Sequence, residues 1–426
     1  MKRNSKPIFF TTAPTPAPTG LPWTQTGRRF SGGELDYEVG SSVFLVTDEL
    51  LVYGAPGFDG RSGLVGSTDW KDTDGSVRMI RAATDQKEEI GRVVSATPDG
   101  SFIAVAGKNV VRVYHNVNST AGWLQVGSDI DDAILLHRVL SSWVVDSISL
   151  ASSPNGGLVV AVATRGILSE RNGEITTLQI GDATNSTGWT VKGNRLDVGD
   201  VVVVRVSLIF GGNFLVVGEG GPQSNRYSDM LQFYRYEDNK WVSIDVFGGR
   251  RLANDREGFR TMAVSRDNSI LAFLVGSEIR VWRIGDFQNP NIVISRKFVG
   301  DKESVIALDE RFAHLTSGFD VSLSHDGGIL AFGRNDRGGA NVTVYAYSGP
   351  PSSPGTWSRL GDDIEYTEIY YRGPDDPSLF FRQNATACTS SLSLSLSGDG
   401  NVVVIGNPCR SANRGTVEVY EYEWFR

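Results

Sequence analysis

Serine alternates with apolar residues in short runs along this chain. The clearest runs hold Leu392, Leu394 and Leu396 between serines, and Ile148 and Leu150 around Ser149. Strict alternation of this kind predicts a strand with one buried face. Each run leads into a D-G- or N-G-type turn and then a strand that is apolar almost throughout and ends in Gly or Ala. A polar loop follows, then a V-x-V-Y strand, a second turn, and a Trp with Gly four residues later. The best copy is VVSATPDGSFIAVAG (from Val93), followed by VVRVY (from Val110) and WLQVGSDI (from Trp123). Further copies begin at Ser147, Val204, Met262, Asp320 and Ser391, and a degenerate first copy begins at Ser41. The D-G and N-G pairs suit two-residue hairpins, because their residues tolerate positive φ.

The turn positions are Asp99, Asn155, Gly211, Asp267, Asp326 and Asp399, spaced 56, 56, 56, 59 and 73 residues apart. About fifty residues holding three or four strands is the length of one propeller blade. A lone blade leaves its second face uncovered, whereas seven packed radially cover one another. The expected fold is therefore all-β: a seven-bladed β-propeller of four-stranded antiparallel blades. The recurring Trp of the outermost strand stands at 123, 189, 241 and 357, and blades 1 and 5 lack it. The last blade stops soon after VEVYEYEW, so Trp23–Phe30 is expected to cross the ring and supply its outer strand. That closure removes an open sheet edge. Residues 23–426 then form the propeller. Residues 1–22, basic and then Thr/Pro-rich (TTAPTPAPTG), read as a disordered stalk or linker.

The S-x-D-G-x-x-L-A-x-G segments, the G-x-V-x-V-Y strand and the W-x-x-x-G-x-D-I ending resemble FG-GAP and WD-repeat-like propeller repeats, in particular the multi-copy form of microalgal surface proteins. GSSVFLVTDELLVYGAPG, from Gly40, is the most FG-GAP-like stretch. The resemblance covers residues 23–426 and implies a fold far more than an activity. It also implies D-x-D-x-D-G calcium loops. Only Asp72-Thr-Asp74-Gly75 approaches one, with Asp69 out of step. No cofactor or metal is therefore expected, and calcium has only this weak foothold. The WD dipeptide and G-H pair of true WD repeats are absent.

With 41 basic and 49 acidic residues the net charge is −8, a balance that argues against nucleic-acid partners. No apolar run approaches a membrane span, and no secretory signal is visible. Four His and two Cys, without C-x-x-C or H-E-x-x-H, leave no zinc pattern. G-x-S-x-G and Walker-type loops are missing as well.

In a propeller the b–c and d–a loops surround one mouth of the channel. The b–c loops carry Arg61 in blade 1, Arg165 and Arg171 in blade 3, and Arg226 with Tyr227 in blade 4. Blade 6 carries Arg334 and Arg337, and blade 7 carries Arg410 and Arg414. A broken ring of guanidinium groups suits carboxylate, sulfate or phosphate. The alternative is local pairing with d–a acids such as Asp131, Asp132, Asp362, Asp363 and Glu365. The same acids are the material for a polysaccharide hydrolase or lyase. Since they follow the repeat's own W-x-x-x-G-x-D-I ending, they read first as structural, and no catalytic residue is assigned. An insertion from Glu365 to Ala387 holds Tyr370, Tyr371, Phe380 and Phe381, either as a recognition surface or as a cap on the channel.

Cys388 precedes the first strand of blade 7 and Cys409 follows the second. A turn centred between Gly398 and Asp399 sets them directly opposite; a turn at Asp399-Gly400 offsets them diagonally. The expectation is a cross-strand disulfide, which belongs outside the cytosol; the alternative is two reduced thiols. Sequons at Asn118, Asn185, Asn341 and Asn384 permit glycosylation without showing it. The reading as a whole is a monomeric, non-enzymatic recognition or adhesion head, extracellular or at a cell surface, binding a protein or acidic glycan on its loop face. An intracellular protein-interaction scaffold is the alternative.

Overall fold

The computed structural model describes residues 22–32, 37–72, 77–81, 87–118, 122–135, 143–166, 173–181, 188–199, 202–220, 230–248, 259–284, 304–308, 318–336, 339–349, 356–366, 392–409 and 414–423. These form seven antiparallel sheets, each with its strands in sequence order outward, except the last. The innermost (a) strands are Ser42–Leu45, Val93–Ala96, Trp143–Ser152, Val202–Ile209, Phe259–Val264, Phe319–Leu323 and Ser393–Leu396. In the last sheet Trp23–Ser31 pairs with Thr416–Tyr422 as the outermost strand, with Trp23 opposite Tyr422 and Ser31 opposite Thr416. The ring closes with its first strand on its last blade, as the missing outer strand of blade 7 required. Blades 1 and 5, whose outer strands have no W-x-x-x-G motif, are completed by Arg78–Arg81 and Ser304–Ala307.

The core is not one body. It consists of separate apolar clusters, each between two neighbouring blades. One joins Val105 and Ile103 of blade 2 to Val52 and Val65 of blade 1. Another joins Leu215 and Val217 of blade 4 to Val159 and Ala161 of blade 3. The last joins Val404 and Val419 of blade 7 to Leu45 and Leu51 of blade 1. This is why the second strand of every repeat is apolar almost throughout: both of its faces meet a neighbour.

The serine alternation has a specific cause. An innermost strand has one edge facing the channel, where its N–H groups lack ladder partners. Serines of one blade supply those partners to the next. Ser147 and Ser149 accept the N–H of Val206 and Leu208, at 3.1 and 2.8 Å. Ser393 and Ser395 do the same for Val43 and Leu45, at 3.0 and 2.9 Å. Ser95 serves Leu150, and Ser322 serves Leu396.

The D-G turns differ from the two-residue hairpins expected of them. Thr97 N–H bonds Phe102 O, and Gly100 N–H bonds Thr97 O, so the loop has four residues. Gly100, at φ +72°, follows a turn whose central pair is Pro98-Asp99. Asp99 is chosen for its side chain rather than for positive φ. It takes the Thr97 hydroxyl at 2.6 Å and the Ser101 N–H at 3.1 Å. Asp267, Asp326 and Asp399 repeat that arrangement with Ser265, Ser324 and Ser397.

The W-x-x-x-G ending is a staple between blades. A Cβ on Gly127 would lie 2.7 Å from Trp189 Nε1, and one on Gly193 would lie 2.9 Å from Trp241 Cδ1. Both glycines have positive φ. Each glycine thus makes room for the tryptophan of the following blade. Trp241 Nε1 also donates to Lys192 O at 3.0 Å, and Trp23 Nε1 to Leu360 O at 2.9 Å. Blade 1, whose outer strand has no tryptophan in the sequence, uses Trp70 from its c–d turn: a Cβ on Gly27 would lie 3.4 Å from the Trp70 ring at Cε3 and 2.7 Å from the Trp70 carbonyl oxygen. In blades 3 and 6 the same glycine breaks the outer strand into two pieces.

In blade 7, Ser393 faces Gly406 and Leu396 faces Val403. That register centres the turn on Asp399-Gly400. Of the two alternatives for the cysteines, the directly opposed one is therefore excluded along this ladder in favour of the diagonal one. Cys409 lies just beyond the second strand; Cys388 lies outside the described residues.

Candidate functional site at the channel mouth

The a strands enclose a cavity of about 480 Å3. Its walls are the bonded serines. At the a–b turn end Arg266 of blade 5 reaches across the ring. Its guanidinium donates to Leu45 O and Val46 O of blade 1 and to Leu396 O of blade 7, and it stands 5.8 Å from the Phe44 ring. Burial lowers the pKa of Arg266 and the nearby Asp48 partly restores it. The adjoining turns are linked as well: Asp267 N–H bonds His325 O, and His325 N–H bonds Gly398 O. Arg266 thus forms a floor at the turn-face end of the cavity.

The opposite end carries charge from the start of successive a strands: Arg92 in blade 2, Asp146 in blade 3, Arg205 in blade 4, Arg260 in blade 5 and Asp320 in blade 6. Asp320 is a hub between blades. Its Oδ1 takes Arg205 Nη2 at 2.7 Å and the Thr261 hydroxyl at 3.3 Å, while Oδ2 takes Leu394 N–H at 2.9 Å. Arg260 lies 5.0 Å from the Phe319 ring centre. Arg92 pairs with Glu89 at 2.7 Å. Asp146 takes Arg165 Nε at 2.8 Å through one oxygen, and its second oxygen is closed off from solvent. Burial raises the Asp146 pKa against the opposing pull of Arg165 and Arg92.

The loop arginines named from sequence occupy a different place. Arg61 pairs with Glu89 at 3.1 Å, and Arg165 is spent on Asp146. Arg334 is half-buried opposite Phe319, and Arg414 is exposed, with its carbonyl accepting Val39 N–H. None of these four lines the cavity. Arg171, Arg226, Tyr227, Arg337 and Arg410 lie outside the described residues, as do the insertion's Tyr370, Tyr371, Phe380 and Phe381. The arginines that do converge were missed, although a signal existed. R-V-V-S, R-V-S-L and R-T-M-A place arginine just where the serine alternation begins at 92, 205 and 260.

Of the acids weighed as catalytic, Asp363 is held by Thr343 Oγ1 at 2.9 Å and Arg359 at 3.3 Å. Asn118 stands at the c–d turn of blade 2, opposite Gly122. Asn341 lies mid-strand and half-buried in blade 6. Asn185, Asn384 and Asp74 of the calcium-like loop lie outside the described residues. Among the described residues no group of three or more His, Cys, Asp or Glu is placed to hold a metal ion, and no helix is long and apolar enough to cross a membrane.

Solved propellers share this architecture. The β-propeller domain of Myceliophteria thermophila Cps50 (Swd1) superposes with a TM-score of 0.56 at 10% identity, covering 94% of this chain and 100% of that one. The C-terminal WD40 domain of Sif2 superposes with a TM-score of 0.50 at 11% identity, covering 96% of this chain and 100% of that one. No protein-family model and no curated protein matches the chain. The chain is a seven-bladed, WD-repeat-like β-propeller.

Proposed function

We propose that this propeller is a non-enzymatic protein-interaction module that receives a partner at the open mouth of its channel. The observation that carries the reading is the cavity itself, open where charged side chains from five blades converge and floored by Arg266 at the other end. Concave sites with a few convergent polar groups are where ligands bind. The carboxylates in reach of it hold blades together: Asp320 joins four of them, and Asp146 holds Arg165. The likeness to WD40 propellers supports an interaction scaffold better than it supports adhesion through glycans. A secreted location, the Cys388–Cys409 disulfide and the sequon sugars belong to that second reading and stand or fall with it.

A photo-crosslinking amino acid at Ser41, which lines the mouth without belonging to its charged set, and another at Asp326, on the turn face, would test this. The expected result is one defined polypeptide captured from the native source through position 41 and not through 326. Capture through 326 alone, or a saccharide-array signal without any protein adduct, would replace the reading with a different face or with the adhesion alternative.

A further inference from the structure

The wall serines have a property that their structural role leaves over. Each of Ser95, Ser149, Ser322 and Ser393 accepts a neighbouring blade's N–H with its oxygen. A hydroxyl has one proton to give as well as lone pairs. Among the described residues none of these four hydroxyl protons meets an acceptor. Ser207, at the matching place in blade 4, lines the same cavity, and its hydroxyl makes no hydrogen bond among the described residues. Arg92 and Arg205 each give an N–H to a carboxylate, Glu89 and Asp320, and carry further N–H groups of their five; with Arg260 they add donors at the mouth.

Side-chain acceptors open to the cavity are fewer. Both oxygens of Asp320 are taken, and those of Asp146 are either taken or closed off. Glu38 lines the cavity from the connection into blade 1. A concave space whose side chains offer mainly O–H and guanidinium donors is complementary to a group that only accepts.

We infer that the channel mouth binds an oxyanion, a phosphate ester or a carboxylate, with the serine hydroxyls and the Arg92, Arg205 and Arg260 guanidinium groups donating to it. The inference rests on the mouth being the binding face and names the chemistry that enters it. The group can sit on a small molecule or on an acidic side chain of a partner. The volume of about 480 Å3 accommodates either.

The test is calorimetric titration of the full chain at fixed ionic strength with two probes, inorganic pyrophosphate and a blocked hexaglutamate peptide. Saturable one-to-one binding of at least one probe is expected. It should weaken tenfold or more in Arg92→Gln and in Arg260→Gln and stay unchanged in Arg359→Gln, which lies outside the cavity and pairs with Asp363 on the outer strand of blade 6. The tighter probe tells a small-molecule anion from a partner's acidic segment. In case a variant misfolds, arginine-selective labelling of the wild-type chain with peptide mapping provides the second readout: the bound probe should shield Arg92 and Arg260 and leave Arg359 reactive. Absence of saturable binding by both probes overturns the inference. So does binding that both channel variants leave intact, or shielding that includes Arg359. A partner crosslinked through position 41 without anion binding would sink this inference and leave the interaction module standing; anion binding without any partner would do the reverse.

Discussion

Glu219 shows how much a single buried residue sets. It is 1% exposed in the second strand of blade 4, and its one donor among the described residues is Gln232 Nε2 at 2.9 Å; Gln232 in turn accepts from Tyr234. Burial pushes its carboxyl up to about 7, and the Gln232 bond offsets little of that. A raised folded pKa stabilises the native state fully below the unfolded value, near 4.5, and the gain is lost as pH rises through about 7. The loss is on the order of 3–4 kcal/mol. Glu219→Gln should keep the amide hydrogen bond available and abolish this slope. Unfolding midpoints measured from pH 4.5 to 7.5 should therefore run flatter in the variant than in the wild type, and parallel curves would show that Glu219 is not the titrating group. Neither Glu219 nor the Asp320 hub could be singled out from sequence. Whether a carboxyl in a strand is open, paired or stranded depends on which blade lies against it.

At the scale of the element, the outer strand and the a–b hairpin were legible because their chemistry is local. A turn that needs Asp for its side-chain bonds and Gly for positive φ writes both letters in order. The error in loop length arose because D-G also suits a two-residue turn, and only the Thr97–Phe102 bond distinguishes the two. The tryptophan-glycine ending was legible as a repeat and illegible as a contact, since Trp and Gly of one motif touch different blades. Gly193→Ala tests that contact. The substitution forces an L side chain into positive φ and places its Cβ 2.9 Å from Trp241. We expect a loss of about 2 kcal/mol in chemical denaturation. Gly156→Ala, also at positive φ but in open space, should cost less. Equal losses would mean that backbone strain alone governs the site.

For the whole molecule, the join is the point where stability is concentrated. Trp23 is buried against Tyr422 and bonds Leu360 O in blade 6, while Arg29 pairs with Glu418, which is 1% exposed. The first residues of the propeller thereby hold its last blade to its sixth. Trp23→Ala should cost about 3–5 kcal/mol and loosen the only blade whose strands come from both ends of the ring. Sizing chromatography should then show association through the exposed edge of Thr416–Tyr422. A variant that stays monomeric with an unchanged unfolding midpoint would show that the closing strand is dispensable.

The architecture was readable from the chain alone because the blades solve the same problem with related letters. One face of each inner strand packs inward, serines of blades 2, 3, 6 and 7 cap the next blade's free N–H, and the a–b turn recurs at intervals of 56 to 73 residues. The missing outer strand of blade 7 even indicated where the ring closes. The site was not readable in that way. Arginines in polar loops drew attention because loops carry function, yet Arg61, Arg165, Arg334 and Arg414 do not line the cavity. The convergent set, Arg92, Arg205 and Arg260, is spread over 169 positions of sequence and meets only because three inner strands begin at the same height in the ring. Local sequence determines strands, turns and repeat. Closure of the circle decides which side chains become neighbours across a channel, since that proximity exists only once all seven blades are in place.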